Sequence, residues 1–230
     1  MRPLAAVLLL ALLVGGVRAP AEEKPRKPEV QTAESQAAMT PALALERLKT
    51  GNARFASNAT KPHDWSAKVL ATADGQFPFA AVLACMDSRA PVEILFDQGI
   101  GDLFGVRVAG NVVNEDELGS LEYAAKVGAK LIVVLGHTRC GAVQGALEDV
   151  QLGHLTGLLE KIQPAVEAAQ CTDAKQEACV TRVAEENVRH SMRQIRERSA
   201  YLAKYLAAGK IELVGGLYDV STGRVTFLER

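Results

Sequence analysis

The sequence predicts an α/β fold, with a parallel central sheet flanked by helices and an antiparallel edge strand. Short apolar runs typical of buried strands occupy four segments, 79–85, 103–108, 131–135 and 212–218. Segments with helical periodicity lie between them, notably 118–127 and 155–169. Strands that are apolar on both faces and alternate with helices are typical of a parallel sheet.

Turn residues support these element boundaries. Gly128 and Gly209 stand where the left-handed residue after a helix belongs. The segment Ser-Thr-Gly-Arg at 221–224 has the composition of a hairpin turn. It predicts an antiparallel edge strand at 225–228.

The first 21 residues have the layout of a secretory signal peptide. A positive start at Arg2 precedes an apolar run over 4–14, and the small residues Ala19 and Ala21 stand just before Glu22. The apolar run is too short to span a bilayer. It also lacks the polar face that a helix packed against the domain would need. We therefore expect an exported protein, periplasmic or secreted, with no membrane segment in its mature form.

The next segment, 22–40, is charged, contains proline and shows no apolar periodicity, so it predicts a flexible tether. The folded domain is expected over 41–230. Thr40 and Pro41 are typical of a helix N-cap and first turn, and Leu45, Leu48 and Phe55 would form the buried stripe of that helix.

Length and charge limit the function classes. The 230 residues suit one folded domain after the signal peptide and tether. There are 26 basic and 27 acidic residues, so no charge excess indicates a nucleic-acid or acidic membrane partner. Four cysteines are too few for a disulfide scaffold. Small ligands and metals are the expected partners.

Residues with metal-binding and acid–base chemistry follow two of the predicted strands. Cys85, Asp87 and Arg89 come after the first strand, and His137 and Cys140 come after the third. Ligands bind at the carboxyl ends of the strands in open α/β sheets. Two cysteines and one histidine with an open fourth position form a known catalytic zinc arrangement.

These motifs resemble the β-class carbonic anhydrases, in which Cys-x-Asp-x-Arg follows one strand and Gly-His-x-x-Cys-Gly follows another. Further agreement comes from Arg-Val-Ala-Gly-Asn at 107–111 and Gly-Ser-Leu-Glu-Tyr-Ala at 119–124. The resemblance covers most of 41–230. One family feature is missing, because Val82 stands where some members carry a tryptophan that serves an inhibitory bicarbonate site.

The resemblance implies a β-carbonic anhydrase-like fold and reversible hydration of carbon dioxide to bicarbonate and a proton by attack of zinc-bound hydroxide. It implies Zn²⁺ bound by Cys85, His137 and Cys140, with Asp87 and Arg89 as the catalytic pair. Asp87 is also a candidate fourth ligand in a closed state. A homodimer or higher even homo-oligomer is expected, with the cleft at the subunit interface.

Other interpretations stay open from the residues alone. A non-catalytic zinc module could use Asp87 as a permanent ligand. A thiol–disulfide enzyme could use a reactive cysteine, although this sequence has no Cys-x-x-Cys motif. A related hydrolase could act on carbon disulfide or carbonyl sulfide with the same metal centre. Gln98, Asp102 and Arg107 either line the cleft or, for the last two, form a salt bridge with each other. Cys171 and Cys179 are either a disulfide across a loop or two free thiols.

Overall fold

In the part of the chain that the computed structural model describes, residues 29–228, five strands form one sheet. The strands are β1 (Ala80–Ala84), β2 (Leu103–Arg107), β3 (Leu131–His137), β4 (Glu212–Tyr218) and β5 (Val225–Phe227). Their order across the sheet is β2-β1-β3-β4-β5. All neighbouring strands are parallel except β4 and β5. The predicted fold class is confirmed.

Helices cover both faces of this sheet. They are α1 (Ala33–Ala38), α2 (Pro41–Ala56), α3 (Trp65–Ala71), α4 (Val92–Leu95), α5 (Glu115–Lys126), α6 (Gly141–Leu147), α7 (Gly153–Leu159), α8 (Gln163–Ala169), α9 (Glu177–Arg198) and α10 (Ala200–Ala207). One buried cluster joins α2 and α4 to one face of the sheet, and another joins α5, α9 and α10 to the opposite face. β1 and β3 are buried along their whole length between these layers.

The register places the ends of β1 and β3 side by side. Ala84, the last residue of β1, pairs with Leu135 of β3 and with Arg107 at the end of β2. β3 continues two residues further, to His137. The residues that follow β1 therefore lie beside the last residue of β3, which positions the candidate site.

Most element boundaries agree with the sequence pattern, but one helix prediction is wrong. The segment 155–169 forms two helices, α7 and α8, instead of one. Pro164 lies in the first turn of α8, where its missing N–H needs no partner, whereas inside a continuous helix it would remove a hydrogen bond. Gly128 and Gly209 do adopt positive φ angles, of 113° and 64°.

The start of the domain differs in part from the prediction. Thr40 caps α2 by accepting a hydrogen bond from the Leu43 N–H, as expected. Within the predicted tether at 22–40, however, α1 is folded against the domain: the Gln36 side chain donates to the Pro78 carbonyl at 2.8 Å. The structure thus corrects the tether prediction for α1, because a capped helix with a buried contact holds it in place.

The predicted signal peptide at 1–21 lies outside the described residues. No helix among residues 29–228 combines the length and the apolar character needed to cross a membrane.

Candidate metal centre

Three side chains with metal-binding atoms meet at the carboxyl ends of β1 and β3. Cys85 directly follows β1, His137 is the last residue of β3, and Cys140 directly precedes α6. Their ligand atoms all lie within 4.8 Å of one another, and the three residues are at most 5% exposed. The structure therefore brings together the three residues that the sequence analysis selected as metal ligands.

The histidine is oriented for metal binding by the backbone of the next residue. Nδ1 of His137 lies 2.8 Å from the Thr138 carbonyl oxygen, which can only accept, so Nδ1 carries the proton. Nε2 then presents its lone pair, yet it is buried without a hydrogen-bond partner among the described residues. An unpaired buried nitrogen is costly, and a cation at this point would satisfy it.

The two thiols have opposite proton affinities. A hydrogen bond from Cys140 lowers the pKa of Cys85 to about 4, and weaker contributions come from His137 and from the Gly110 N–H at 3.3 Å from Sγ. The same hydrogen bond, together with burial, raises the pKa of Cys140 far above its usual range. The protein alone thus favours one thiolate, and a bound dication would stabilise the second.

This donor set fits zinc. Two sulfurs and one imidazole nitrogen match its preference for borderline and soft ligands, and three protein ligands leave a fourth position for a water or substrate. Burial of His137 by itself lowers its pKa, but the interaction with Cys85 outweighs that effect and the net pKa is raised. Negative charge on Cys85 therefore favours a positive charge next to this imidazole.

Asp87 and Arg89 form a bidentate ion pair beside the three donors. The guanidinium donates from Nε to Oδ1 at 2.9 Å and from Nη2 to Oδ2 at 2.8 Å, and the Arg89 N–H also donates to Oδ1. Oδ2 of Asp87 lies 3.8 Å from Nε2 of His137. The carboxylate therefore lies next to the position that a metal ion would occupy.

The Arg89 hydrogen bonds hold the pKa of Asp87 well below its usual range. A depressed folded-state pKa contributes stability that is complete above the unfolded value of about 3.9 and is lost as the pH falls through the folded value. Asp87 is consequently a charged acceptor throughout the neutral and mildly acidic range.

Arg107 contributes to this site in a way that the sequence analysis left open. It donates from Nη2 to the Asp87 carbonyl at 2.5 Å and from Nε to the Cys85 carbonyl at 3.3 Å. Asp102 instead accepts from Arg47 at 3.1 Å, so the alternative of an Asp102–Arg107 salt bridge is wrong. The signal that identifies Arg107 is its register position opposite Ala84, which needs the strand pairing to be known.

The question of Cys171 and Cys179 is settled in favour of the disulfide. The two cysteines are bonded, with their Cα atoms 5.8 Å apart. α8 ends before Cys171 and α9 begins only at Glu177, so the chain loops back between them and brings the sulfurs together. Cys85 and Cys140 are the free cysteines.

Comparison with known proteins agrees with this geometry. The sequence pattern of the carbonic anhydrase family matches residues 80–225. A carbonic anhydrase of Mycolicibacterium smegmatis is 39% identical over 195 residues, which cover 80% of this chain and 92% of the relative. Carbonic anhydrase 2 of Mycobacterium tuberculosis is 37% identical over 193 residues, covering 80% and 91%.

Solved structures show the same likeness. A β-carbonic anhydrase of Aspergillus fumigatus superposes with a TM-score of 0.66 at 26% identity, over 77% of this chain and 89% of the other. One of two tetrameric β-carbonic anhydrases from Sordaria macrospora gives a TM-score of 0.64 at 26% identity, over 82% and 95%.

The donor set predicts that Cys140→Ser loses its bound metal, because a serine hydroxyl is a far weaker ligand than a thiolate. The loss of metal affinity should exceed roughly 10–100-fold, which is the loss caused by removing a residue that only hydrogen-bonds to a metal ligand. Metal per chain, measured by mass spectrometry after dialysis, checks this. The matched control replaces both Cys171 and Cys179 by serine and should keep a full metal complement. Full metal in Cys140→Ser would show that the ligand set is different.

Proposed function

The chain belongs to the β-class carbonic anhydrase family, and we propose that it catalyses the reversible hydration of carbon dioxide to bicarbonate and a proton with a zinc ion bound by Cys85, His137 and Cys140. The observation that carries the proposal is the buried Cys85–His137–Cys140 cluster with the Asp87–Arg89 pair at its side. The unpartnered Nε2 of His137 supports a cation at the centre of this cluster.

Zinc in such a site supplies a Lewis acid that lowers the pKa of a coordinated water toward neutrality. The protein must do the rest. Two thiolates would donate much negative charge to the metal, so the activation of water would depend on the neighbouring groups. Asp87 lies where its charged Oδ2 can accept a hydrogen bond from the attacking water and so direct a lone pair toward carbon dioxide.

Arg89 keeps that carboxylate in place. Its two parallel hydrogen bonds fix both oxygens of Asp87, which would leave the fourth position of a bound zinc ion open for water. If Arg89 released it, Asp87 could move the short distance to the metal position and occupy it. We therefore propose an open state with the ion pair intact and a closed state in which Asp87 is the fourth ligand.

We propose that the working form is a homodimer or a higher even homo-oligomer. β2 lies at the edge of the sheet, and Met86 and Tyr123 near it are 63% and 56% exposed. Exposed apolar side chains beside a sheet edge favour association with another chain. A monomer in analytical ultracentrifugation at micromolar concentration would contradict this proposal.

We also propose that the protein is exported, periplasmic or secreted, and that its mature chain begins near Glu22. The support is the order of the positive start, apolar run and small residues in the first 21 residues. The Cys171–Cys179 disulfide is consistent with an oxidising compartment. N-terminal sequencing of the exported fraction tests the proposal, and a chain that still begins at Met1 would contradict it.

The proposed activity predicts stoichiometric zinc and rapid hydration of carbon dioxide by the purified protein. Stopped-flow measurement with a pH indicator, combined with metal analysis of the same sample, checks both. Zinc without hydration at any pH would indicate a non-catalytic metal site. Hydrolysis of carbon disulfide without hydration of carbon dioxide would assign a different substrate to the same centre.

The ion pair predicts the effects of two substitutions. Arg89→Ala should keep its zinc but lose about 100-fold in hydration rate near neutral pH, because Asp87 is no longer held away from the fourth position. Asp87→Ala should also keep zinc and be slow, since the attacking water loses its acceptor. Stopped-flow rates and metal content of both variants check this. Parent rates in Arg89→Ala would make the pair a structural salt bridge.

A further inference from the structure

A second contact holds Arg89 in place, and it connects Arg89 to the loop after β3. Besides Asp87, the guanidinium's hydrogen-bond partner among the described residues is the Arg139 carbonyl, which accepts from Nη2 at 3.3 Å. Arg139 lies between His137 and Cys140, so this carbonyl belongs to the loop that carries two of the three metal-binding residues. Movement of the loop at Arg139 would therefore displace the carbonyl that holds Arg89.

The loop takes an unfavourable backbone conformation at this point. The φ angle of Arg139 is +54°, in the left-handed region that residues other than glycine rarely adopt. Such a conformation persists only where its surroundings hold it. The backbone alone does not explain why the Arg139 carbonyl stays directed at Arg89.

The Arg139 side chain supplies a restraint. It forms a bidentate ion pair with Glu177, from Nε to Oε1 at 2.9 Å and from Nη2 to Oε2 at 3.1 Å. Both side chains are about half exposed, and most exposed pairs contribute little because both partners must be ordered. A bidentate pair with one partner already fixed is the exception.

Glu177 is such a fixed partner. It is the first residue of α9, where a negative charge is favoured by the helix dipole. Two residues later, Cys179 is 1% exposed and is bonded to Cys171 near the start of the preceding loop. The following residue, Val180, is also buried in the core. The start of α9 is thus held by a covalent bond and by packing.

We propose that Glu177, anchored by the Cys171–Cys179 disulfide, is a positioning residue for the Asp87–Arg89 pair. It acts through Arg139: the ion pair fixes the loop between His137 and Cys140, and the loop carbonyl fixes Arg89. The role in catalysis rests on the proposed function, whereas the restraint on the loop does not. The disulfide then affects the site as well as the stability of the fold, because its reduction would loosen the start of α9, where Glu177 lies.

Three changes to the full chain test this proposal. Glu177→Ala removes the ion pair, and Glu177→Gln keeps one hydrogen bond from Arg139 to an uncharged acceptor. A double variant, Cys171→Ala with Cys179→Ala, removes the anchor. The matched control is Glu186→Ala, which removes an ion pair with Arg189 on the same helix. Hydrogen exchange of the peptide covering 137–141 reports on the loop, and kcat/KM for carbon dioxide hydration reports on the pair.

Loss of the ion pair should raise loop exchange and lower kcat/KM by about fivefold each, the upper range for an exposed pair. Glu177→Gln should fall between the parent and Glu177→Ala, with full zinc content throughout. The disulfide-free variant should show a similar change, and adding Glu177→Ala to it should add little, because both act on one contact. Glu186→Ala should match the parent in both measurements.

Unchanged loop exchange and unchanged kcat/KM in Glu177→Ala would overturn the proposal. So would a lower thermal midpoint as the sole effect, since that is what a purely structural ion pair gives. Fully additive effects of the two changes would show that the disulfide does not act through Glu177. If the parent protein hydrates no carbon dioxide, the proposed function fails, and loop exchange still decides whether Glu177 restrains the loop.

Discussion

The parallel pairing of β1 with β3 is the constraint on which the rest of the site depends. Hydrogen bonds between buried strands fix Ala84 opposite Leu135, so Cys85 emerges beside the end of β3, where His137 lies. Cys140 follows within one turn. A shift of one residue would turn the side chains of a strand to the opposite face of the sheet and separate the donors. The strand pairing alone therefore brings the three donor residues together.

The charges and donors at this position suit a cation. The pKa of Cys85 is lowered, that of Cys140 is raised, and Nε2 of His137 has no hydrogen-bond partner among the described residues. Asp87 is negative because Arg89 lowers its pKa, and Arg89 is in turn fixed by the loop that carries the ligands. Metal binding, orientation of the carboxylate and loop geometry are therefore parts of one network.

The sequence was sufficient for features that depend on local pattern. Apolar runs predict the strands, and the segments 85–89 and 137–140 each follow such a strand. Since ligands bind at the carboxyl ends of the strands in open α/β sheets, this position predicts the donor cluster. Two other pairings over long sequence separations were not predicted. Arg107 contacts the Asp87 carbonyl because of strand register, and Glu177 reaches Arg139 because of how α9 packs.

Two further differences have local causes that periodicity does not show. The break between α7 and α8 depends on Pro164, whose effect is greater than that of the continuous apolar pattern around it. α1 depends on a cap at Thr32 and on a contact of Gln36 with the chain before β1, so a polar segment that looks like a tether folds against the domain.

X-ray absorption at the zinc edge of the purified protein tests the central claim most directly. The account predicts two sulfur ligands at about 2.3 Å, one imidazole nitrogen at about 2.0 Å and one further oxygen from water or Asp87. A shell of four sulfurs, or one containing only nitrogen and oxygen, would contradict the assignment of Cys85, His137 and Cys140 as the ligands.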